Sequence, residues 1–392
     1  MIRVAFTLAG GAGHWTGGFN YLTNLLRLLR HYRSARVEPV VMVGPAVSVA
    51  DADDLTLAVG APPVRADWIA RRAPRVARAL LTGRDAVARR AFHDHDIDVV
   101  FEAGEYFGPR FDLPTVTWVA DFQSHHLPEM FTARARWRTY LGRYLQLVGP
   151  RIILLSSADA RRDFRRFYPG GAGRDRVVPF AVLPPVQPPP DLCLAKRYGL
   201  PERFFFLPNQ FWKHKNHVVV IDALTAARQR YPEMVVAACG NPADPRHPGH
   251  FDRLRARVRQ TGLDAAFRVL GMIPREDVIG LMELSVALVN PSLFEGWSTT
   301  VEEAKSLGVP LVLSALPVHR EQAPEHAAFF DPHSPESAAS ALCRAWEADA
   351  VRPVQRRAGA VAAAEANAER FADGMVTVFE EALSRSVRRR PQ

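Results

Sequence analysis

Short apolar runs alternating with helical patterns constrain this chain more than any other feature. In the first half they are Val4-Ala-Phe6, Val40-Val-Met-Val43, Asp98-Val-Val-Phe101, Thr115-Val-Thr-Trp-Val119, Ile152-Ile-Leu-Leu155 and Val177-Val178. Phe204-Phe-Phe-Leu207, Val235-Val-Ala-Ala238, Val286-Ala-Leu-Val289 and Leu311-Val-Leu313 continue the theme in the second half. A strand that is apolar at successive positions, instead of at every other one, is buried on both faces, as in a parallel sheet covered by helices. Between the halves, Leu183-Pro-Pro-Val-Gln-Pro-Pro-Pro190 puts five prolines into eight residues and reads as a stiff, extended linker. A chain of 392 residues is long enough for two domains with separate cores. The pattern therefore predicts two α/β domains, residues 1–183 and 191–370, joined by a linker at 184–190. A last helix, Phe371 to Leu383, falls within a terminal segment at 371–392.

The richest local stretch runs from Val286 to Ser314. Asn290-Pro291-Ser292 stops a strand, and Thr299-x-x-Glu302 reads as a capping box that opens a helix. Gly308 and Pro310 end that helix. Strand, loop and helix start leave unpaired backbone amides directed at an anion. Glu295 lies in the loop and Glu303 about one turn into the helix, so both can face one pocket at the helix mouth. Two other segments suit an anionic ligand. Gly10-Gly-Ala-Gly-His-Trp-Thr-Gly-Gly18 is expected to be a glycine-rich loop after the first strand, without the Gly-x-Gly-x-x-Gly spacing of a dinucleotide site. Pro208-Asn-Gln-Phe-Trp-Lys-His-Lys-Asn-His217 follows the Phe204 strand and carries Lys213 and Lys215.

The spacing Glu295-x7-Glu303, with Pro-Ser before it and Glu-Ala-Lys-Ser-Leu-Gly-Val-Pro after it, resembles the signature of glycosyltransferase family 4, retaining enzymes of GT-B fold. The resemblance is close over 204–332 and looser before 190. It implies two Rossmann-like, doubly wound domains facing each other across a cleft, with the C-terminal helix crossing back to the first. It also implies a nucleotide-diphosphate sugar as donor substrate, no separate cofactor and no bound metal. Carried onto this chain, Glu295 contacts the donor sugar, Glu303 holds the ribose, and Gly296, Trp297, Ser298 and Thr299 form the phosphate loop. Lys215 clamps the diphosphate, Met272 and Ile273 flank the base, and Gly17 and Gly18 lie against the donor phosphates beside the acceptor.

The chain departs from that family pattern in two places. The arginine that partners the clamping lysine is missing, and Gln210 and Trp212 occupy its places. Lys213 is the stand-in, although a lysine lacks the bidentate fork of arginine. The family histidine beside the aspartate is also displaced. Ala120 precedes Asp121, so the role falls to His125 or to no residue, and His125 with His126 reads equally well as a surface pair. The implied activity is transfer of a sugar, with retention, to a saccharide or lipid-linked acceptor in bacterial surface polysaccharide or glycolipid synthesis. A GT-B nucleotide-sugar epimerase or phosphorylase is an alternative. A non-catalytic nucleotide-sugar binding or assembly protein is another, and the missing arginine favours it.

The formal charge of +9 is unevenly placed. Residues 1–190 hold 25 Arg and no Lys against 17 Asp and Glu, which invites an anionic partner. Nucleic acid, an acidic membrane surface and a phosphorylated substrate are the candidates; no nucleic-acid motif is present, and the membrane surface is the better match, unless the arginines are only solvated faces. Arg134, Arg136, Trp137, Arg138, Tyr140 and Arg143 form a basic-aromatic helix that suits either reading. No apolar run approaches the roughly 18–20 residues that span a bilayer. Cys193, Cys239 and Cys343 form no Cys-x-x-Cys, and no signal-peptide pattern precedes the first strand. The expected location is the cytoplasm, peripheral on the inner face of the membrane. His93-Asp-His-Asp-Ile-Asp98 falls where a helix hands over to a strand, so diverging side chains and a solvated turn are expected instead of a metal site.

Overall fold

The computed structural model describes residues 1–103, 105–147, 149–183, 191–323, 327–348 and 353–387, with the backbone course alone at 12–16 and 386–387. The proline linker expected at 184–190 lies outside the described residues. The chain forms two compact units, each discontinuous in sequence. Unit 1 comprises Met1–Phe122, Ala133–Leu183 and Ala366–Gln392, and unit 2 comprises Gln123–Thr132 and Pro184–Glu365.

Unit 1 is built on β1 (Ile2–Gly10), β2 (Val37–Ala46), β3 (Val64–Arg65), β4 (Val99–Glu102), β5 (Thr115–Trp118), β6 (Ile152–Leu155) and β7 (Asp175–Val177). Their order is β3-β2-β1-β4-β5-β6-β7, and all pairs are parallel. β1 and β4 put Phe6 and Phe101 side by side, 5.1 Å between centroids, and Phe379 meets both rings edge-on. Each of these phenylalanines is buried, worth about 1.5–3 kcal/mol. Phe379 lies on a helix that runs from Pro353 to Val387, far longer than the Phe371–Leu383 expected. In its unit 1 part, Arg33 pairs with Asp373 and Arg176 with Glu381.

Unit 2 has β8 (Phe205–Leu207), β9 (Val236–Cys239), β10 (Phe267–Gly271), β11 (Leu288–Asn290), β12 (Leu311–Ser314) and β13 (Ala327–Phe330). They run parallel in the order β10-β9-β8-β11-β12-β13. The Phe204-Phe-Phe-Leu207 run shows why the sheet is covered twice. Phe205 and Leu207 enter one core, under the His217–Ala227 and Pro335–Glu347 helices, while Phe204 and Phe206 enter the other. Read from its own first strand, this order is 3-2-1-4-5-6. In such a sheet the chain reverses direction between strands 1 and 4, here β8 and β11, and ligands bind beyond the carboxyl ends at that point.

Two local expectations fail. Gly10–Gly18 is not a loop, because the first helix already starts at Ala12 and runs to Arg33. Gly17 and Gly18 therefore lie in its first turns, and neither is among the glycines with positive φ, so their backbone is ordinary helix. The capping box is also absent. Ser298, not Thr299, is the N-cap of the Thr299–Ser306 helix, and its hydroxyl makes no cap bond because other groups claim it. The His93–Asp98 turn is as expected: His93, Asp94 and Asp96 are exposed, while Asp98 accepts the Arg3 amide.

Candidate active site in unit 2

The loops after β8 and β11 meet at this reversal and are stitched together by backbone and amide groups. Asn209 Nδ2 donates to Asn290 Oδ1 at 3.2 Å, Asn216 Nδ2 to the Pro291 carbonyl at 3.2 Å, and the Leu293 amide to the His214 carbonyl at 2.8 Å. Asn216 takes a left-handed conformation, φ 55°, which asparagine tolerates better than most residues. That turn points Lys215 across to the β11 loop. Its Nζ lies 2.6 Å from Glu295 Oε1, with side chains 16% and 10% exposed. The same oxygen accepts from Ser292 Oγ at 2.7 Å and lies 3.5 Å from Asn290 Nδ2. Burial alone would push the Glu295 carboxyl up. The Lys215 ammonium, the nearby His319 and the bonds from Lys215 and Ser292 outweigh it and hold the pKa down at about 2. Glu295 is therefore a fixed, ionised acceptor.

Asn290 and Ser292 are more than a strand stop. Both are fully buried and orient Glu295, while Asn290 Nδ2 also donates to Ser298 Oγ at 3.0 Å. That bond explains the missing cap. Gln322 brackets the Ser298 backbone, accepting from its amide at 3.3 Å and donating to its carbonyl at 2.7 Å. The first amides of the helix beyond Ser298, from Thr299 onward, have no partner within the helix. Glu302, expected to fold back as the box, instead meets Lys305 at 2.9 Å and Gln322 at 2.9 Å, and Trp297 also bonds to it.

Glu303 is buried, and Arg275, at the start of the Arg275–Leu284 helix, grips both its oxygens. Arginine and carboxylate match in this two-pronged geometry. Met272 is 69% exposed beyond β10, whereas Ile273 packs against the unit 2 core. Gly296 and Trp297 are half-buried between Glu295 and the helix. Lys213 is exposed, and its amide donates to Asp244 Oδ2 at 3.0 Å. The two residues in the places of the missing arginine turn to the following loop. Gln210 Oε1 accepts the Asn241 amide at 2.7 Å, and Trp212 Nε1 donates to the Ala243 carbonyl at 3.2 Å. That loop, Pro242 to Asp252, lines a cavity of about 380 Å³.

His125 is half-buried in a short Gln123–His126 helix, inside the Gln123–Thr132 segment that belongs to unit 2. Gly17 and Gly18 belong to unit 1, in the helix that follows β1, and a Cβ added at Gly17 would meet open space. The structure thus joins Glu295 to Lys215 directly, and it puts Gly296 to Thr299 and Glu303 on the same loop and helix. Asn290, Ser292, Arg275 and Gln322 are contributors that sequence reasoning missed. A buried Asn at a strand's carboxyl end was the one available signal, since nothing local distinguishes Arg275 at its helix start.

Comparison with known proteins bears on the fold. Residues 196–380 match the family model described as glycosyl transferases group 1. HepE from Anabaena, solved with UDP and glucose, is similar over 97% of this chain and 98% of its own, at TM-score 0.68 and 17% identity. A glycosyltransferase from Rickettsia africae is similar over 99% of both chains, at TM-score 0.66 and 12% identity. WaaG, a glycosyltransferase involved in lipopolysaccharide biosynthesis, is similar over 98% of this chain and 99% of its own, at TM-score 0.58 and 14% identity. At such identities the likeness establishes the fold. The chain is a GT-B protein whose residues 196–380 form a group 1 glycosyl transferase domain.

Proposed function

We propose that the chain is a family 4, retaining, metal-independent hexosyltransferase, moving a sugar from a nucleotide-diphosphate donor to a saccharide or lipid-linked acceptor. The observation that carries this is the Lys215–Glu295 pair, where the β8 and β11 loops converge beside a helix start. In the structure the two charges neutralise each other. A donor diphosphate would draw the Lys215 ammonium to its own oxygens and leave Glu295 free to accept from sugar hydroxyls. Positive charge and unpaired amides then stabilise the leaving diphosphate, the largest charge change in the reaction. Glu303 accepts the ribose hydroxyls, and the departing phosphate takes the acceptor's proton. HepE was solved with UDP and glucose, which supports a nucleotide sugar as the donor class here too.

The acceptor's setting is proposed as surface polysaccharide or glycolipid synthesis at the cytoplasmic face of a membrane. Support comes from the Ala133–Leu147 helix, which has no acidic residue. Trp137, Leu141 and Tyr144 are 69%, 44% and 62% exposed, at the spacing of one helical face, with exposed Arg134 and Arg138 beside them. Such a stripe suits an anionic lipid surface. No described helix is long and apolar enough to cross a membrane.

A thermal-shift panel of UDP, GDP, ADP and dTDP with their sugars tests the donor reading. A ligand at a hundredfold excess over Kd stabilises by about 2.7 kcal/mol. Glu303→Ala should weaken the selected nucleotide about tenfold or more, the worth of a hydrogen bond to a charged group. No shift across the panel would refute the reading. An altered sugar released without any acceptor would point to an epimerase instead.

A further inference from the structure

The Lys213–Lys215 turn lacks an arginine of its own, yet a guanidinium lies against it. Arg246, in the loop after β9, donates from Nη1 to Gln123 Oε1 at 3.0 Å, and its Nη2 lies 3.2 Å from His214 Nδ1. The same guanidinium is 4.9 Å from the centroid of Phe131 and 5.4 Å from that of Trp212, the residue in one of the places of the missing arginine. Arginine has donors only, so His214 Nδ1 is the acceptor and the imidazole proton belongs on Nε2. Asp244 locks this arrangement, accepting the Arg246 amide on Oδ1 and the Lys213 amide on Oδ2, both at 3.0 Å. Gln123 and Phe131 both belong to the Gln123–Thr132 segment of unit 2. A second tie runs through the same segment, where His126 stacks on Phe294 at 5.1 Å, next to Glu295 in the chain.

We propose that Arg246 is a positioning residue that holds the Gln123–Thr132 segment, with His125 on it, against the turn that carries Lys215. The two ends of the guanidinium meet different loops while its faces meet two rings. A lysine offers one ammonium and no plane, so it cannot bridge Gln123 and His214 and also stack. A cation from the next loop thus stands against the Lys213–Lys215 turn, with a structural task. Only the catalytic consequence rests on the proposed transferase reading; the clamp itself does not.

Hydrogen–deuterium exchange on the full-length protein without ligand tests the clamp. In Arg246→Ala, the Leu127 and Met130 amides, bonded to the Gln123 and Leu127 carbonyls, should exchange about tenfold faster or more, while β11 keeps its protection. Gln123→Ala should loosen the same segment with Arg246 left in place, and Arg246→Lys should restore little. With the donor chosen by the nucleotide-sugar panel, kcat should fall while KM for the donor stays within about threefold. Unchanged exchange in both alanine variants would overturn the proposal. A loosened segment with wild-type kcat would overturn its catalytic part. A loosened segment in a protein that transfers no sugar would support the clamp and count against the transferase reading.

Discussion

Lys215→Met removes the ammonium from Glu295 while keeping most of the side chain's length and apolar stem. The structure sets the size of the effect. Glu295 is held at about 2 from an ordinary value of 4.5, and each pKa unit is worth about 1.36 kcal/mol, so the surroundings stabilise the charged form by about 3 kcal/mol. Lys215 leads those surroundings, and breaking a buried pair from one side typically costs about 3–5 kcal/mol. Because the folded-state pKa is depressed, this contribution is complete above about pH 4.5 and is lost as pH falls towards 2. Urea denaturation at pH 7 should therefore show Lys215→Met destabilised by about 3 kcal/mol, with the gap narrowing once the pH drops below 4.5. Glu295→Gln in the same background should recover part of the loss, since the stranded carboxylate is then gone. A coupling between the two substitutions below about 0.5 kcal/mol would refute the buried-pair argument, and with it the picture of two charges waiting for a donor to separate them.

Two further perturbations follow from groups outside that pair. His217 is fully buried against Phe211, neither ring nitrogen makes a hydrogen bond of good geometry, and burial with His250 nearby lowers its pKa to about 3. A neutral imidazole of this kind contributes stability above its unfolded value of about 6.5 that is lost as pH falls towards 3. His217→Phe should flatten the fall of the urea midpoint between pH 6.5 and 4, leaving the parts due to His214, His250 and His319, whose pKa values burial also lowers; an unchanged slope would refute this account. Replacing Arg134, Trp137 and Arg138 together by Ser should weaken cosedimentation with vesicles containing phosphatidylglycerol by about tenfold or more, at about 1 kcal/mol for each arginine near the surface. Equal binding by the variant would remove the basis for membrane contact.

Much of the fold was legible because parallel strands buried on both faces leave continuous apolar runs, such as Phe204–Leu207 and Ile152–Leu155. Such runs reveal strands but not their neighbours, and the order β10-β9-β8-β11-β12-β13 had to come from the structure. Glycines read as a turn at Gly10–Gly18, whereas the helix that buries Phe19, Leu22, Leu25 and Leu26 already starts at Ala12. The capping box erred because a hydroxyl donor has competing partners. Asn290, at the end of β11, reaches Ser298 first, and that contact depends on how the loop between them closes. Glu295 and Lys215 stood out as charges in loops that follow apolar strands. Arg246 and Arg275 did not, because nothing local marks a guanidinium whose partners are Gln123 or Glu303.

The division of unit 1 into pieces from both ends of the chain has a consequence for how the protein is made. Phe6 and Phe101 leave the ribosome well before Phe379, the ring that covers them. Until then the nascent sheet presents an uncovered aromatic face, the kind of surface that chaperones bind and that aggregates when left unattended. Synthesis that stops short of the Pro353–Val387 helix would thus release a first unit without its lid, whatever the state of the Lys215–Glu295 pair.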